Sequence, residues 1–319
     1  MLGRKRVEQF ARFFFALSCF FIVACSNAPR IPKPFTDPIF NATARNHAAF
    51  VELSVPLPMR AYLRSPQDPS APVSAGAPPP NALSLTIYIE GDGAAWINRS
   101  QPPTDPTPFD PIAAALAMRD PSSWVAYLGR PCQYLHPSAL SACKPALWGN
   151  ERFGPEALGM SNQVIDLLRS DVLAQWSLQQ AQQSNIRKHI PPLLRIRLIG
   201  YSGGGAIAAL LAGERDDIDC LITIASPLDI DTWVRLQGLS PLIGSKNPAT
   251  KNAQLAKLSQ THWYGQKDRI VPSNSMGQYR LYNLSQQSSV NVVPNFDHRY
   301  PWVEHWPRLL AQSCPAGSK

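Results

Sequence analysis

Residues 196–206 read Ile196-Arg197-Leu198-Ile199-Gly200-Tyr201-Ser202-Gly203-Gly204-Gly205-Ala206. A short apolar, β-prone run meets a glycine cluster, and an alanine-rich helix to Ala212 is predicted to follow. G-x-S-x-G between a strand and a helix is a nucleophile elbow. The serine sits on a tight, strained turn, and side chains at the flanking glycines would collide across it. The string alone is a weak signal, and its strand-to-helix setting makes it specific. A dinucleotide loop needs G-x-G-x-x-G and a phosphate-binding P-loop needs a lysine, and this stretch offers neither.

Earlier in the chain, 83–90 (LSLTIYIE) and 124–128 (WVAYL) read as compact apolar strands that stop at Gly91-Asp92-Gly93 and Gly129-Arg130-Pro131. Residues 50–64 alternate loosely and read as one or two strands. Further strands are expected at 221–225, 262–264 and 290–293. Between them, Val164, Leu168, Val172 and Trp176 recur every fourth residue, with Ser161 as the expected helix cap. A last helix carries Trp302 and Trp306. Short, continuously apolar strands alternating with amphipathic helices predict an α/β fold, a mostly parallel sheet sandwiched by helices. Sites in such sheets lie at the carboxyl ends of the strands.

A serine needs a base, and the base needs an orienting acid. In the chain order Ser, acid, His, the acid is expected on a loop past a later strand. Asp268, in Gly265-Gln266-Lys267-Asp268-Arg269-Ile270-Val271-Pro272, fits that place, with Asp229 and Asp231 as competitors. Order removes His47, His136 and His189 as bases. His262 opens a strand and is expected to be packed, and His305 lies in the last helix. His298 follows the last strand in Pro294-Asn295-Phe296-Asp297-His298, where a base would reach Ser202. The oxyanion needs two N–H donors. The residue after the nucleophile, Gly203, supplies one. The second is expected from the loop after an early strand, at Asp92, with Gly93 as the neighbouring alternative.

Together, Tyr-Ile-Glu-Gly-Asp-Gly, Gly-Tyr-Ser-Gly-Gly-Gly, Asp268-Arg-Ile-Val-Pro, the late Asp-His and Trp-x-x-x-Trp resemble the α/β-hydrolase superfamily, and within it a group of bacterial envelope-associated hydrolases. The resemblance runs from about Phe50 to Gln312. It implies the α/β-hydrolase fold, a Ser202–Asp268–His298 triad, an acyl-enzyme route and no cofactor. The superfamily hosts esterases, lipases, thioesterases, peptidases and dehalogenases, so the fold does not name a substrate. Glu90-Gly91 stands where the superfamily usually has His-Gly. The expected reaction is hydrolysis of a small-molecule or lipid-like carboxylic ester. A peptidase or amidase, and a non-catalytic envelope lipoprotein, are the alternatives. A segment with Trp233, Leu236, Leu239 and Leu242 reads equally as a short cap over the site or as ordinary packing.

The N-terminus reads as an address. Arg4, Lys5, Arg6 and Arg12 precede an apolar run of 12 residues, Phe13–Ala24. That is short for a membrane span and fits a secretory signal. Ile22-Val23-Ala24-Cys25 resembles the lipobox of bacterial lipoproteins, which implies cleavage after residue 24 and lipid on Cys25. Ser26, in place of a retaining aspartate, implies the outer membrane, facing the periplasm. Residues 25–48 are expected to form a tether and 49–319 the catalytic domain, with a Pro-rich loop at 65–82.

Composition agrees with a packed, exported enzyme. Of 319 residues 45% are hydrophobic and 16% charged. An average chain carries about 25% charged residues, so the low charge argues against a solvated, disordered protein. The net charge of +8 drops to +5 once the four basic residues and one glutamate of 1–24 are removed. The remaining charges form no basic stripe, which argues against nucleic acid as a partner. The oligomeric state is not legible. Without Cys19 and Cys25, four cysteines remain in an oxidising compartment, with no C-x-x-C to hold zinc. Cys132 and Cys143 are close enough in sequence to pair locally after one strand. Cys220 starts a strand at the amino edge, and Cys314 ends a helix running back to that edge. The expected bridges are therefore Cys132–Cys143 and Cys220–Cys314.

Overall fold

Eight strands form one sheet in the order β1-β2-β4-β3-β5-β6-β7-β8. The computed structural model describes residues 50–66, 82–93, 103–183 and 192–314. The signal at 1–24, Cys25, the tether and nearly all of the Pro-rich loop lie outside them. β1 (Val51–Leu53) and β2 (Ala61–Arg64) run antiparallel to each other, and β2 runs antiparallel to β4 (Val125–Leu128). From there the sheet is parallel: β4, β3 (Ala82–Ile89), β5 (Leu193–Tyr201), β6 (Ile218–Ile224), β7 (Ser259–Gly265) and β8 (Ser288–Val293). Each expected strand is present, mostly longer than its apolar run, because hydrogen bonding carries pairing past the buried positions.

The helices that position the site are α1 (Ile112–Met118), α2 (Pro155–Gln183), α3 (Gly203–Ala212), α4 (Ile230–Gln237) and α5 (Trp302–Ala311). Alternation within β3 shows why the sheet is covered on both faces. Leu85, Ile87 and Ile89 pack in a core with Val164, Ile165, Leu168 and Val172 of α2 and the alanines of α3. Tyr88 points the other way, into a core with α1 and with Trp302, Trp306, Leu309 and Leu310 of α5. Period-two side chains demand this two-sided burial.

The expected cap at Ser161 is a correction. α2 begins six residues earlier, at Pro155, and Ser161 is buried inside it, its hydroxyl donating to the Ala157 carbonyl at 2.8 Å. Proline suits a first helical position because its missing N–H would have no partner there. Ala157 and Leu158 then carry the buried stripe back to that start.

Disulfides join Cys132 to Cys143, neighbours in sequence, and Cys220 to Cys314, brought to one edge by strand and helix direction. No helix among the described residues is long and apolar enough to cross a membrane.

Candidate active site

Sheet register brings the chemistry to one edge. Ile89 pairs with Gly200, Ile224 with Trp263, and Gly265 with Val293. The segments beginning at Glu90, Ser202, Asp268 and His298 therefore leave the sheet side by side.

Ser202 has φ 50° and ψ −126°. A positive φ at a residue with a Cβ is strained and costs on the order of 1–3 kcal/mol. The surroundings enforce it. The Ser202 N–H donates to the Ile224 carbonyl of β6 at 2.8 Å, and the Gly205 N–H donates to the Ser202 carbonyl at 3.0 Å. A Cβ on Gly200 would lie 2.4 Å from the Gly204 carbonyl oxygen, so the turn closes only with glycine there.

His298 stands on the segment after β8. Tyr201 Oη donates to the His298 carbonyl at 2.9 Å, and Trp302 Nε1 donates to the Asp297 carbonyl at 3.0 Å. The ring reaches both expected partners. Nε2 lies 3.1 Å from Ser202 Oγ and Nδ1 lies 2.9 Å from Asp268 Oδ2. A carboxylate only accepts, so Nδ1 carries the proton and Nε2 is left to accept from the serine. Asp268 is buried, and its other oxygen, Oδ1, accepts the Ile270 and Val271 N–H groups, each at 2.8 Å. The Asp-Arg-Ile-Val stretch is thus a turn that locks the carboxylate for one histidine.

The competing residues are engaged elsewhere. Asp229 caps α4, accepting from the Thr232 N–H at 3.1 Å and from the Gln278 N–H at 2.9 Å. Asp231 accepts from Asn247 Nδ2 at 2.9 Å. His262 is fully buried between Thr223 Oγ1 and Gln260 Oε1, and burial pushes its pKa down to about 3. His305 is exposed beside the Phe296 ring, and His136 caps a one-turn helix at Pro137–Leu140. His47 and His189 lie outside the described residues.

Gly203 is the first residue of α3, so its N–H has no partner within the helix and sits at the positive end of the helix dipole. The Gly91-Asp92 segment faces it. A Cβ on Gly91 would lie 3.3 Å from Ser202 Cβ, and one on Gly203 would lie 2.0 Å from Asp92 Oδ1. The two expected donor residues therefore flank the nucleophile. Gly93, with φ 66°, turns the chain away toward Pro106.

What holds this segment is not legible in the sequence. The Asp92 carboxylate pairs with Arg130 Nη1 at 2.8 Å and with Arg152 Nη1 at 3.1 Å. Burial alone would raise its pKa, but the Arg152 and Arg130 guanidiniums outweigh that and hold it below the usual carboxylate value. Glu90, in the place usual for histidine, is buried too. Its carboxylate accepts the Gly91 N–H at 3.0 Å, the Ala113 and Ala114 N–H groups of α1 at 3.3 Å each, and Tyr127 Oη at 3.1 Å. It caps α1 from a distant strand, which no local capping pattern reveals.

Burial raises the Glu90 pKa from 4.5 to about 7, against those four hydrogen bonds. Between these values the folded chain binds more protons than the unfolded one. Stability is therefore lost as pH rises from about 4.5 to 7, by up to about 3 kcal/mol from this group. Glu90→Gln cannot titrate. Urea unfolding from pH 5 to pH 8 should show the variant gaining on the wild type by about that amount as pH rises. A stability difference that stays flat with pH would contradict the assignment.

The triad opens into a cleft of about 470 Å³. Phe109, Ile112, Trp233, Leu239 and Ile270 give it apolar walls, and Arg152 and Arg299 are its cations. Trp233 and Leu239 belong to the candidate cap segment, and Trp233 Nε1 donates to the Ile270 carbonyl at 2.8 Å. That segment forms one wall of the cleft, while Leu242 packs on the core and Leu236 is exposed. No group of three or more His, Cys, Asp or Glu side chains able to hold a metal ion occurs among the described residues.

No protein-family model matches the chain, and no curated protein matches it. Solved structures do. A puromycin-hydrolysing peptidase of Mycobacterium tuberculosis superposes with a TM-score of 0.51 at 13% identity, over 85% of this chain and 40% of that one. An acylaminoacyl peptidase of Pyrococcus horikoshii gives 0.50 at 11% identity, over 86% and 43%. This chain thus spans less than half the length of either peptidase. Est1E from Butyrivibrio proteoclasticus has a TM-score of 0.45 at 16% identity, over 82% and 96%. At these identities the likeness concerns the fold. With its mostly parallel eight-stranded sheet, its helices on both faces and its strand–elbow–helix at Ser202, this chain has the α/β-hydrolase fold.

Proposed function

We propose that this chain is a serine hydrolase that cleaves carboxylic esters through an acyl-enzyme. The observation that carries the reading is the unbroken relay from Asp268 through His298 to Ser202, at 2.9 and 3.1 Å, at the base of an apolar-walled cleft. Ser202 Oγ attacks the ester carbonyl while His298 Nε2 takes its proton. The carbonyl electron pair moves onto oxygen, where the Gly203 and Asp92 N–H groups receive the negative charge. Collapse of this intermediate breaks the C–O bond, and the leaving alkoxide takes the proton from His298. Water, deprotonated by His298, then attacks the acyl-serine and releases the acid. Asp268 stays ionised throughout and holds the imidazole tautomer.

The apolar walls favour an uncharged acyl group, the feature that supports an ester of a hydrophobic acid. The test pairs short- and long-chain p-nitrophenyl esters with the matching p-nitroanilides. A fluorophosphonate probe is mapped by mass spectrometry on the same sample. Ester turnover well above anilide turnover, with label on Ser202, is expected. Preference for the anilide would make the protein an amidase or peptidase. Absence of both turnover and label would make it a non-catalytic module.

We infer further that residues 1–24 are a signal, that Cys25 carries lipid, and that 25–48 tether a catalytic domain at 49–319 to the cell envelope. The basic start, the apolar run and Ile22-Val23-Ala24-Cys25 support this. Cys25→Ser is expected to abolish metabolic labelling by a palmitate analogue and to release the protein from membranes or leave it unprocessed. Equal labelling of both forms would reject the anchor.

A further inference from the structure

Gly91-Asp92 has left the sheet, since β3 pairing with β5 ends at Ile89. It nevertheless has to present the Asp92 N–H at a fixed point beside Ser202. Three side chains from two remote parts of the chain converge on it. Arg130 and Arg152 each donate to one oxygen of the Asp92 carboxylate, and Gln133 Nε2 donates to the Gly91 carbonyl at 3.0 Å. These three side chains also lock one another. The Arg130 N–H donates to Gln133 Oε1 at 3.0 Å, Arg130 Nη2 to the Arg152 carbonyl at 2.5 Å, and Arg152 Nε to the Gly149 carbonyl at 2.6 Å. The turn carrying Arg130 and Gln133 is stapled by Cys132–Cys143. From the other side, Glu90 accepts the Gly91 N–H. The Asp92 N–H is left without a partner among the described residues.

The arrangement is costly for mere cohesion. The Arg130 and Arg152 side chains are 5% and 3% exposed, and Arg130 Nε is buried with no hydrogen-bond partner among the described residues. Buried ion pairs hold a fold together no better than apolar side chains of similar volume, but they fix geometry. Here the fixed geometry is that of the segment facing Gly203.

We propose that Arg130, Arg152 and Gln133 are positioning residues of the oxyanion hole: their grip on Gly91-Asp92 aims the Asp92 N–H at the oxyanion. The inference rests on the serine hydrolase reading above. It predicts a loss that appears in the transition state and not in substrate binding.

The test uses Arg152→Met, Arg152→Lys and Gln133→Met in the full chain, with circular dichroism and thermal unfolding to establish that each is folded. Kinetics with a p-nitrophenyl ester are compared with inhibition by a trifluoromethyl ketone, which adds to the serine and places a real oxyanion in the hole. Arg152→Met is expected to lower kcat about 100-fold with KM changed less than about threefold, the size of losing one oxyanion donor. The ketone should weaken by the same factor as kcat/KM, and Arg152→Lys should recover part of both. Gln133→Met removes no charge, should lose about 10-fold in the same pattern, and carries the test if Arg152→Met does not fold. A kcat within twofold of wild type in the folded variants overturns the proposal. So does a loss confined to KM, or a rate loss with unchanged ketone affinity. If the wild type itself turns over no ester, the hydrolase reading fails and this inference with it. Wild-type turnover with unaffected variants removes this inference alone.

Discussion

Ser202→Ala is expected to lower kcat for a p-nitrophenyl ester by about a million-fold, the loss typical of removing a serine triad's nucleophile. That corresponds to about 8 kcal/mol of barrier. The reason is geometric. His298 Nε2 has Ser202 Oγ as its partner at 3.1 Å, and no other hydroxyl takes that place in the relay. Without Oγ the acyl-enzyme route closes, and only the oxyanion donors and binding in the cleft still favour attack by water. His298→Ala should therefore cost nearly as much, and the double variant little more than either single one, because the residues act as a unit. Stability should change by less than about 1 kcal/mol, since alanine keeps the Cβ and the backbone strain is the same. The measurement is single-batch kinetics beside thermal unfolding. An alanine variant that keeps more than about 1% of the rate, or keeps its phosphonate label, would remove Ser202 from the mechanism.

Replacing Cys220 and Cys314 together by alanine is expected to lower the unfolding free energy by about 4–5 kcal/mol on the chain-entropy model. The bridge spans 94 residues of sequence. It ties β6, which pairs with β5 and β7, to the end of α5. The start of that helix holds the His298 segment through Trp302, so its release frays the support of the base before it harms the sheet. The Cys132–Cys143 bridge spans only 11 residues, and the same model gives it about 3 kcal/mol. Urea denaturation of both double variants decides the order. A larger loss from the short bridge than from the long one would show that local strain or residual structure outweighs chain entropy here.

Features that depend on neighbours along the chain are legible in the amino-acid order. Val125–Leu128 and runs like it announce strands buried on both faces, because a continuous apolar run sends apolar side chains to both sides of the sheet. Gly200, Ser202 and Gly204 announce the elbow because the backbone demands it locally. Parallel strand direction then orders serine, acid and histidine along one edge, and the same directions bring Cys220 to Cys314. Features that depend on contacts between distant segments emerge only in the folded chain. As strings, Asp268 is the favoured acid and Asp229 its competitor, since both follow a strand. They differ in which carboxylate meets His298 and which caps α4. Ser161 looks like a cap until Pro155 and the stripe before it are seen to be packed. The grip on Asp92 joins residues 38 and 60 positions away in sequence. No periodicity or propensity encodes such a meeting, because the cost of burying two guanidiniums is offset only by a carboxylate that the fold brings to them.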